Sequence, residues 1–271
     1  MRENFNQGVA CDTIQFFSEA LGRTVHIDMY LPPPSATTAA TSLLLINDGQ
    51  DLPKMPFADI LGSMYEKASL EPLLCVGIHC GEDRKNEYGM VHHKDYAGRG
   101  AKAPVYRKFI FEELFPLLDA NYSIHQMKNK AIAGFSLGGL SALDLAWLHP
   151  ETFSRAGVFS GALWWRSVEK TRPEYDDRTC RLMHMQVRNV SAPPPVQLFF
   201  ACGELDEAED RNRNGVIDSI DDTIDLMREL LQKGYLEGRD LAYLQLADGR
   251  HDVATWARAL PHFLKWGWGK E

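Results

Sequence analysis

The chain reads as an α/β protein, a mostly parallel, doubly wound sheet flanked by helices. Three observations predict it. Short apolar runs such as Ser42 to Ile46 (SLLLI) and Leu73 to Ile78 (LLCVGI) show no alternation, as strands buried on both faces do. Segments with apolar residues at helical spacing separate these runs. The 271 residues contain no internal repeat and no linker, which suits one large domain over residues 1–271.

In order, Thr24 to Leu31 (TVHIDMYL) is a strand closed by Pro32, Pro33 and Pro34. Ser35 to Thr41, rich in Ala and Thr, is a surface turn. Strand Ser42 to Ile46 runs into Asn47-Asp48-Gly49-Gln50-Asp51, then a helix near Phe57 to Lys67. Leu73 to Ile78 is a buried strand leading into a polar loop, Gly81 to Arg99, and Val105 to Tyr122 is a helix. Ala131-Ile132-Ala133 is a short strand, after which Leu140, Leu143 and Trp147 recur at helical spacing. A strand near Arg155 to Ser160 precedes a weakly periodic, proline-bearing connection from Glu169 to Pro195. Strand Gln197 to Ala201, helix Ile220 to Lys233, strand Ala242 to Leu246 and helix Val253 to Trp266 close the chain.

Hydrophobic residues at 45% and charged ones at 24% are ordinary for a globular domain. No apolar run approaches the ~18 residues that span a bilayer. The N-terminus lacks the basic start and apolar stretch of a signal peptide, so a cytoplasmic location is expected if the chain begins at its natural start. The five cysteines are scattered, which favours reduced thiols over a disulfide framework or a zinc site. The net charge of −8 makes a nucleic-acid partner a poor fit. Nine acids and two bases between Glu204 and Asp225 carry −7 of that charge, which asks for a local cause.

The chemistry centres on Gly134-Phe135-Ser136-Leu137-Gly138. A strand, G-x-S-x-G and a helix in that order is the context of a nucleophile elbow, in which serine sits at the tip of a sharp turn. Glycines two residues either side relieve crowding there, and the following helix aims free N–H groups at the reaction site. The plain alternative is a small-residue turn before a core helix.

A serine hydroxyl needs a base. Of nine histidines, His251 stands in the turn between the last strand and the last helix, where a base that comes last in the chain belongs. The acid should leave the end of the preceding strand, which points to Asp206, with Glu204 in reserve. The oxyanion needs two backbone N–H donors, expected from Leu137 and from Gln50 in the loop after SLLLI.

These pieces resemble the putative-esterase family of α/β-hydrolases, which includes esterase D, feruloyl esterases, enterobactin-type siderophore esterases and mycolyltransferases. The resemblance rests on LLLINDGQ, DRKNEYGM, FIFEELFPLLDANY, AIAGFSLGGLSAL, HPETFSRAGVFSGALWW, CGELD and GRHDVATWARALPHFLKW, from about residue 24 onward. It implies an α/β-hydrolase fold with Ser136 as nucleophile, Asp206 as acid and His251 as base. It also implies that the loop around Arg84, Glu87 and Tyr88 lies near the site mouth. Trp164 and Trp165, which leave the strand after the elbow helix, are placed to wall an acyl or aryl pocket, with core or lid packing as the alternative.

A second pattern lies inside the acidic stretch. Asp210, Asn212, Asn214, Gly215, Val216, Asp218 and Asp221 follow the EF-hand calcium loop, with Asp closing in place of Glu. Side-chain oxygens of Asp210, Asn212, Asn214, Asp218 and Asp221, with the Val216 carbonyl, would hold a structural calcium near Asp206. The alternative is a solvated turn whose acids cap a helix.

The reading that follows is a serine carboxylic-ester hydrolase acting on a small-molecule ester, with no cofactor in catalysis and no membrane or nucleic-acid partner. Acyl transfer to an alcohol or sugar is a rival, and so is a catalytically silent calcium-dependent binding module. A homo-oligomer stays open.

Overall fold

The computed structural model describes residues 4–6, 8–34 and 41–270. Its centre is a nine-stranded sheet in the order β1-β2-β3-β5-β4-β6-β7-β8-β9. The strands are β1 (Asn4–Asn6), β2 (Val9–Ser18), β3 (Arg23–Leu31), β4 (Ser42–Asn47), β5 (Leu73–Ile78), β6 (Lys130–Phe135), β7 (Arg155–Phe159), β8 (Gln197–Leu205) and β9 (Leu241–Arg250). From β5 to β9 every pairing is parallel. β1, β2 and β3 form an antiparallel edge that joins the parallel part through β3 and β5.

Burial explains which strands were legible. β4 and β5 are buried at every position, so their sequences are continuous apolar runs. β2 alternates half-buried and exposed residues (VACDTIQFFS), and the sequence reading assigned no strand there. The turn expected over Ser35 to Thr41 lies outside the described residues for positions 35–40.

The helices are α1 (Phe57–Glu66), α2 (Arg84–Glu87), α3 (Ala103–Lys108), α4 (Phe115–Tyr122), α5 (Leu137–Leu148), α6 (Asp177–Cys180), α7 (Leu182–Asn189), α8 (Asp218–Gln232) and α9 (Val253–Trp268). The single helix expected from Val105 to Tyr122 is interrupted by a π-helical turn, Phe109–Leu114, just before Pro116 in the first turn of α4. The connection Glu169 to Pro195, left without a form, contains α6 and α7. One apolar core cluster includes Leu43, Leu140, Phe109 and Trp165, and the other Ile46, Phe135, Phe159 and Phe263. The C-terminal ends of β4, β6, β7, β8 and β9 share one edge of the sheet, where open α/β sheets place their ligand crevice.

Candidate active site

Ser136 stands between the last residue of β6 and the first of α5, with φ 54° and ψ −119°. A positive φ on a serine is a strained conformation that surrounding structure must hold. Its N–H donates to Phe159 O at 2.8 Å, and its carbonyl accepts from Ala162 N at 3.0 Å. The flanking glycines are required by contact. A Cβ on Gly134 would lie 2.3 Å from Gly138 O, and one on Gly138 would lie 2.6 Å from Asp48 Oδ2.

The loop after β4 lies beside this turn. Asn47 Nδ2 donates to Gly138 O at 2.8 Å, which ties the two together. Asp48 has left-handed backbone geometry (φ 62°, ψ 41°) and opens a short 3-10 turn, Gly49–Lys54. The first intraturn bond is Asp51 N to Asp48 O at 3.0 Å, so the Gln50 N–H precedes the ladder and has no partner within it. The Leu137 N–H is equally free at the start of α5, where Gly139 N is the first to reach Ser136 O. The Gln50 side chain accepts from Cys80 N at 3.1 Å, anchoring the loop to the residues after β5.

Asp206 and His251 come together through the β8–β9 register. Leu205 pairs with Arg250, so each of the two residues follows a paired position. A Cβ on Gly203 would lie 2.3 Å from Gly249 C and 2.8 Å from Asp206 Oδ1, so only glycine permits this approach. Asp206 is buried, with Oδ2 accepting from Ser219 Oγ at 3.2 Å and Oδ1 lacking any protein partner. Glu204, the reserve acid, is exposed and accepts from Gln245 Nε2 at 2.8 Å.

His251 keeps an exposed face, yet the protein around its ring pushes its pKa below the ordinary histidine value. Loss of hydration is the main cause; Arg84 adds to the depression, and Asp206 and Asp252 oppose it. A lowered pKa favours the neutral imidazole, the form a base requires.

The expected pocket residues divide. Arg84 is partly exposed and binds Asp48 through two nitrogens while Nη2 also reaches Phe135 O at 3.3 Å. Glu87 and Tyr88 are buried, Tyr88 beside Asp48 and Gly138. Glu87 is drawn inward by Arg23, with Nε to Oε1 at 2.8 Å and Nη2 to Oε2 at 2.7 Å. The Tyr88 hydroxyl accepts from Asp48 N at 3.2 Å, so the ring supports the Asp48-Gly49-Gln50 turn. Trp165 is also buried, its Nε1 donating to His93 O at 2.9 Å and its ring filling the space over Gly89 and Gly100. Trp164 remains partly exposed between the Arg99 and Arg166 guanidiniums, at 4.8 and 5.5 Å. One neighbour was missed by the sequence reading: Trp256, whose ring meets both His251 and Phe135.

The acidic stretch folds as a tight loop entering α8. Asp210 accepts from Asn214 N at 3.1 Å and Gly215 N at 2.9 Å, and Asn214 Oδ1 accepts from Val216 N at 2.7 Å. Asp221 Oδ2 accepts from the amides of Asn212 and Asn214, both at 2.8 Å. Asp218 stands apart from these bonds. Its Oδ1 accepts from Arg211, through the backbone N–H at 2.8 Å and the guanidinium at 3.2 Å.

The putative esterase family model matches residues 18–266. The chain belongs to that family. It is 23% identical over 204 residues to ferri-bacillibactin esterase BesA of Bacillus subtilis, covering 68% of this chain and 67% of that protein. Over 157 residues it is 28% identical to the iron(III) salmochelin esterase of Escherichia coli, 56% of this chain but 34% of that relative. Among solved structures, the enterobactin esterase FES from Shigella flexneri superposes with a TM-score of 0.70 at 20% identity, over 94% of this chain and 57% of that one. A ferulic acid esterase gives 0.67 at 17% identity, over 96% and 98%. The chain thus spans little more than half of the enterobactin esterase, and these structural likenesses speak to the fold, an α/β-hydrolase-type sheet.

Proposed function

We propose that this protein hydrolyses small carboxylic esters through an acyl-enzyme on Ser136. The observation that carries the reading is Ser136 itself, at positive φ on a strand-to-helix turn, with the free N–H groups of Leu137 and Gln50 on adjoining elements. Ser136 Oγ attacks the ester carbonyl while His251 takes its proton. The Leu137 and Gln50 N–H groups hold the resulting oxyanion. Collapse expels the alcohol, which receives the proton from His251. Water, deprotonated by His251, then releases the acid and restores the serine. The buried Asp206 charge favours the imidazolium that forms at each step. No step calls for a cofactor.

The test is release of p-nitrophenol from acetate, butyrate and octanoate esters by wild type and Ser136→Ala. The reading expects serine-dependent release, and undiminished release by a folded Ser136→Ala protein overturns it. Product analysis with an acceptor alcohol present separates hydrolysis from transfer.

For the loop at 210–221 we propose a structural calcium held by Asp210, Asn212, Asn214, the Val216 carbonyl and Asp221. The fit is partial. Asn212 Oδ1 and Asn214 Oδ1 accept from the backbone N–H groups of Asn214 and Val216 while their amide nitrogens meet Asp221, and Asp218 Oδ1 is engaged by Arg211. A melting temperature indifferent to both EDTA and added calcium would refute it.

A further inference from the structure

The base has a neighbour to which the proposed mechanism gives no task. Trp256 lies in the first turns of α9, just after Asp252, whose Oδ1 caps the helix by accepting from Thr255 N at 2.8 Å. Its indole is nearly buried and makes three contacts on three other elements. It stacks on Phe135, the residue before the nucleophile, at 5.1 Å between centroids and 22° between planes. It meets the His251 imidazole nearly perpendicularly, at 5.3 Å and 78°. Its Nε1–H donates to the Ser160 hydroxyl at 3.0 Å, just beyond the end of β7.

That third contact fixes the ring in its plane. Ser160 is buried, held at φ 44°, and its own N–H donates to Ala201 O at 2.7 Å in the middle of β8. The indole is therefore pinned at one end to a rigid sheet, and its faces and edges set the gap between Phe135 and His251. His251 needs such a wall. Among the described residues its ring nitrogens have no protein hydrogen bond, so packing and the nearby Asp206 charge are what orient it.

We propose that Trp256 is a positioning residue for the general base, an aromatic spacer that fixes the imidazole relative to the nucleophile's turn. The proposal rests on the assignment of His251 as base. An imidazole that must take a proton from Ser136 and hand it to a leaving alcohol loses efficiency with small displacements, since a shift of about 1 Å can cost on the order of 100-fold. An indole suits the task because two side-chain torsions govern a large rigid surface.

The experiment compares Trp256→Leu, Trp256→Phe and Ser160→Ala with wild type in kcat, KM, the pH dependence of kcat/KM and melting temperature. Trp256→Leu is expected to lower kcat by about 10- to 100-fold with little change in KM, the signature of a displaced base. The charged groups facing the ring, Asp206, Arg84 and Asp252, stay in place. Water admitted beside the imidazole should then raise the acid-limb pKa toward the ordinary histidine value. Trp256→Phe keeps an aromatic wall and should recover most of the rate. Ser160→Ala, which frees the indole N–H, should fall between them. Wild-type kcat and pH profile in a folded Trp256→Leu protein overturn the proposal. If that variant does not fold, Trp256→Phe and Ser160→Ala decide, and wild-type kcat and pH profile in Ser160→Ala overturn it equally. A parallel His251→Ala that retains full activity would instead remove the base assignment itself.

Discussion

Arg84 grips Asp48 with both arms of its guanidinium, Nε to Oδ1 at 2.7 Å and Nη2 to Oδ2 at 2.6 Å. Asp48 is buried in left-handed geometry one residue before Gly49-Gln50, so this fork holds the turn that presents the Gln50 N–H. The same guanidinium reaches Phe135 O, beside Ser136, and therefore braces both halves of the proposed oxyanion hole.

Removing the fork should disturb activity more than affinity. Arg84→Met leaves a buried carboxylate unpaired, at a cost of about 1–3 kcal/mol of stability. It should lower kcat on the order of 100-fold if the Gln50 donor is displaced. Arg84 also depresses the His251 pKa, so its loss should move the acid limb of kcat/KM to higher pH. Steady-state kinetics across pH and a urea titration check all three, and an unmoved acid limb would contradict the placement of Arg84 beside the proposed base, His251.

The proposed acid, Asp206, has a support of its own. Ser219, in the first turn of α8, is the hydrogen-bond donor to Asp206 Oδ2. Ser219→Ala should cost about 1 kcal/mol of stability and lower kcat several-fold, with KM little changed. Unaltered kcat would mean that α8 does not orient the carboxylate.

Gly138→Ala tests the seam between the Ser136 turn and the proposed oxyanion loop. The added methyl would meet Asp48 Oδ2 at 2.6 Å and Asn47 Cβ at 3.1 Å. Overpacking of this kind costs about 1–3 kcal/mol. Activity should fall more than stability, because the atoms pushed aside hold the Gln50 turn. Circular dichroism melting read beside ester turnover checks the difference.

A pH dependence of stability follows from His184. It is fully buried, its Nε2 at 2.8 Å from Asp222 O, and its pKa is pushed down to about 3, chiefly by loss of hydration and secondarily by Arg181. Unfolded, it takes a proton near pH 6.5. The folded state therefore loses stability as pH falls below about 6.5, by at most about 1.4 kcal/mol per unit, until about pH 3. Buried Asp144, whose pKa is raised to about 6, acts in the opposite sense between about pH 4 and 6. The clean measurement is thus the difference between wild type and His184→Gln, which should narrow as pH drops through 6.

Much of the architecture was legible because central strands are apolar without interruption. Leu73–Ile78 is a strand with the ends its sequence suggested, and the Phe135-Ser136-Leu137 turn lies where strand meets helix. β2 was not, because an edge strand carrying Asp12, Thr13 and Gln15 among half-exposed positions has no such run. Glu87 and Tyr88 look like solvated loop residues. Their burial depends on Arg23 and Asp48, partners from other strands and loops that no local pattern announces. Trp256 was hidden for the same reason. Helical spacing marks it as a buried position of α9, but its contacts with Phe135, Ser160 and His251 exist only after three strand ends converge.

The central claim is that Ser136 becomes acylated. Its most direct measurement is intact-mass analysis after treatment with an active-site-directed phosphonate, followed by peptide mapping of wild type and Ser136→Ala. The account predicts one adduct per chain, located on Ser136 and absent from the variant. A wild-type protein left unmodified, or labelled equally after Ser136→Ala, would contradict it.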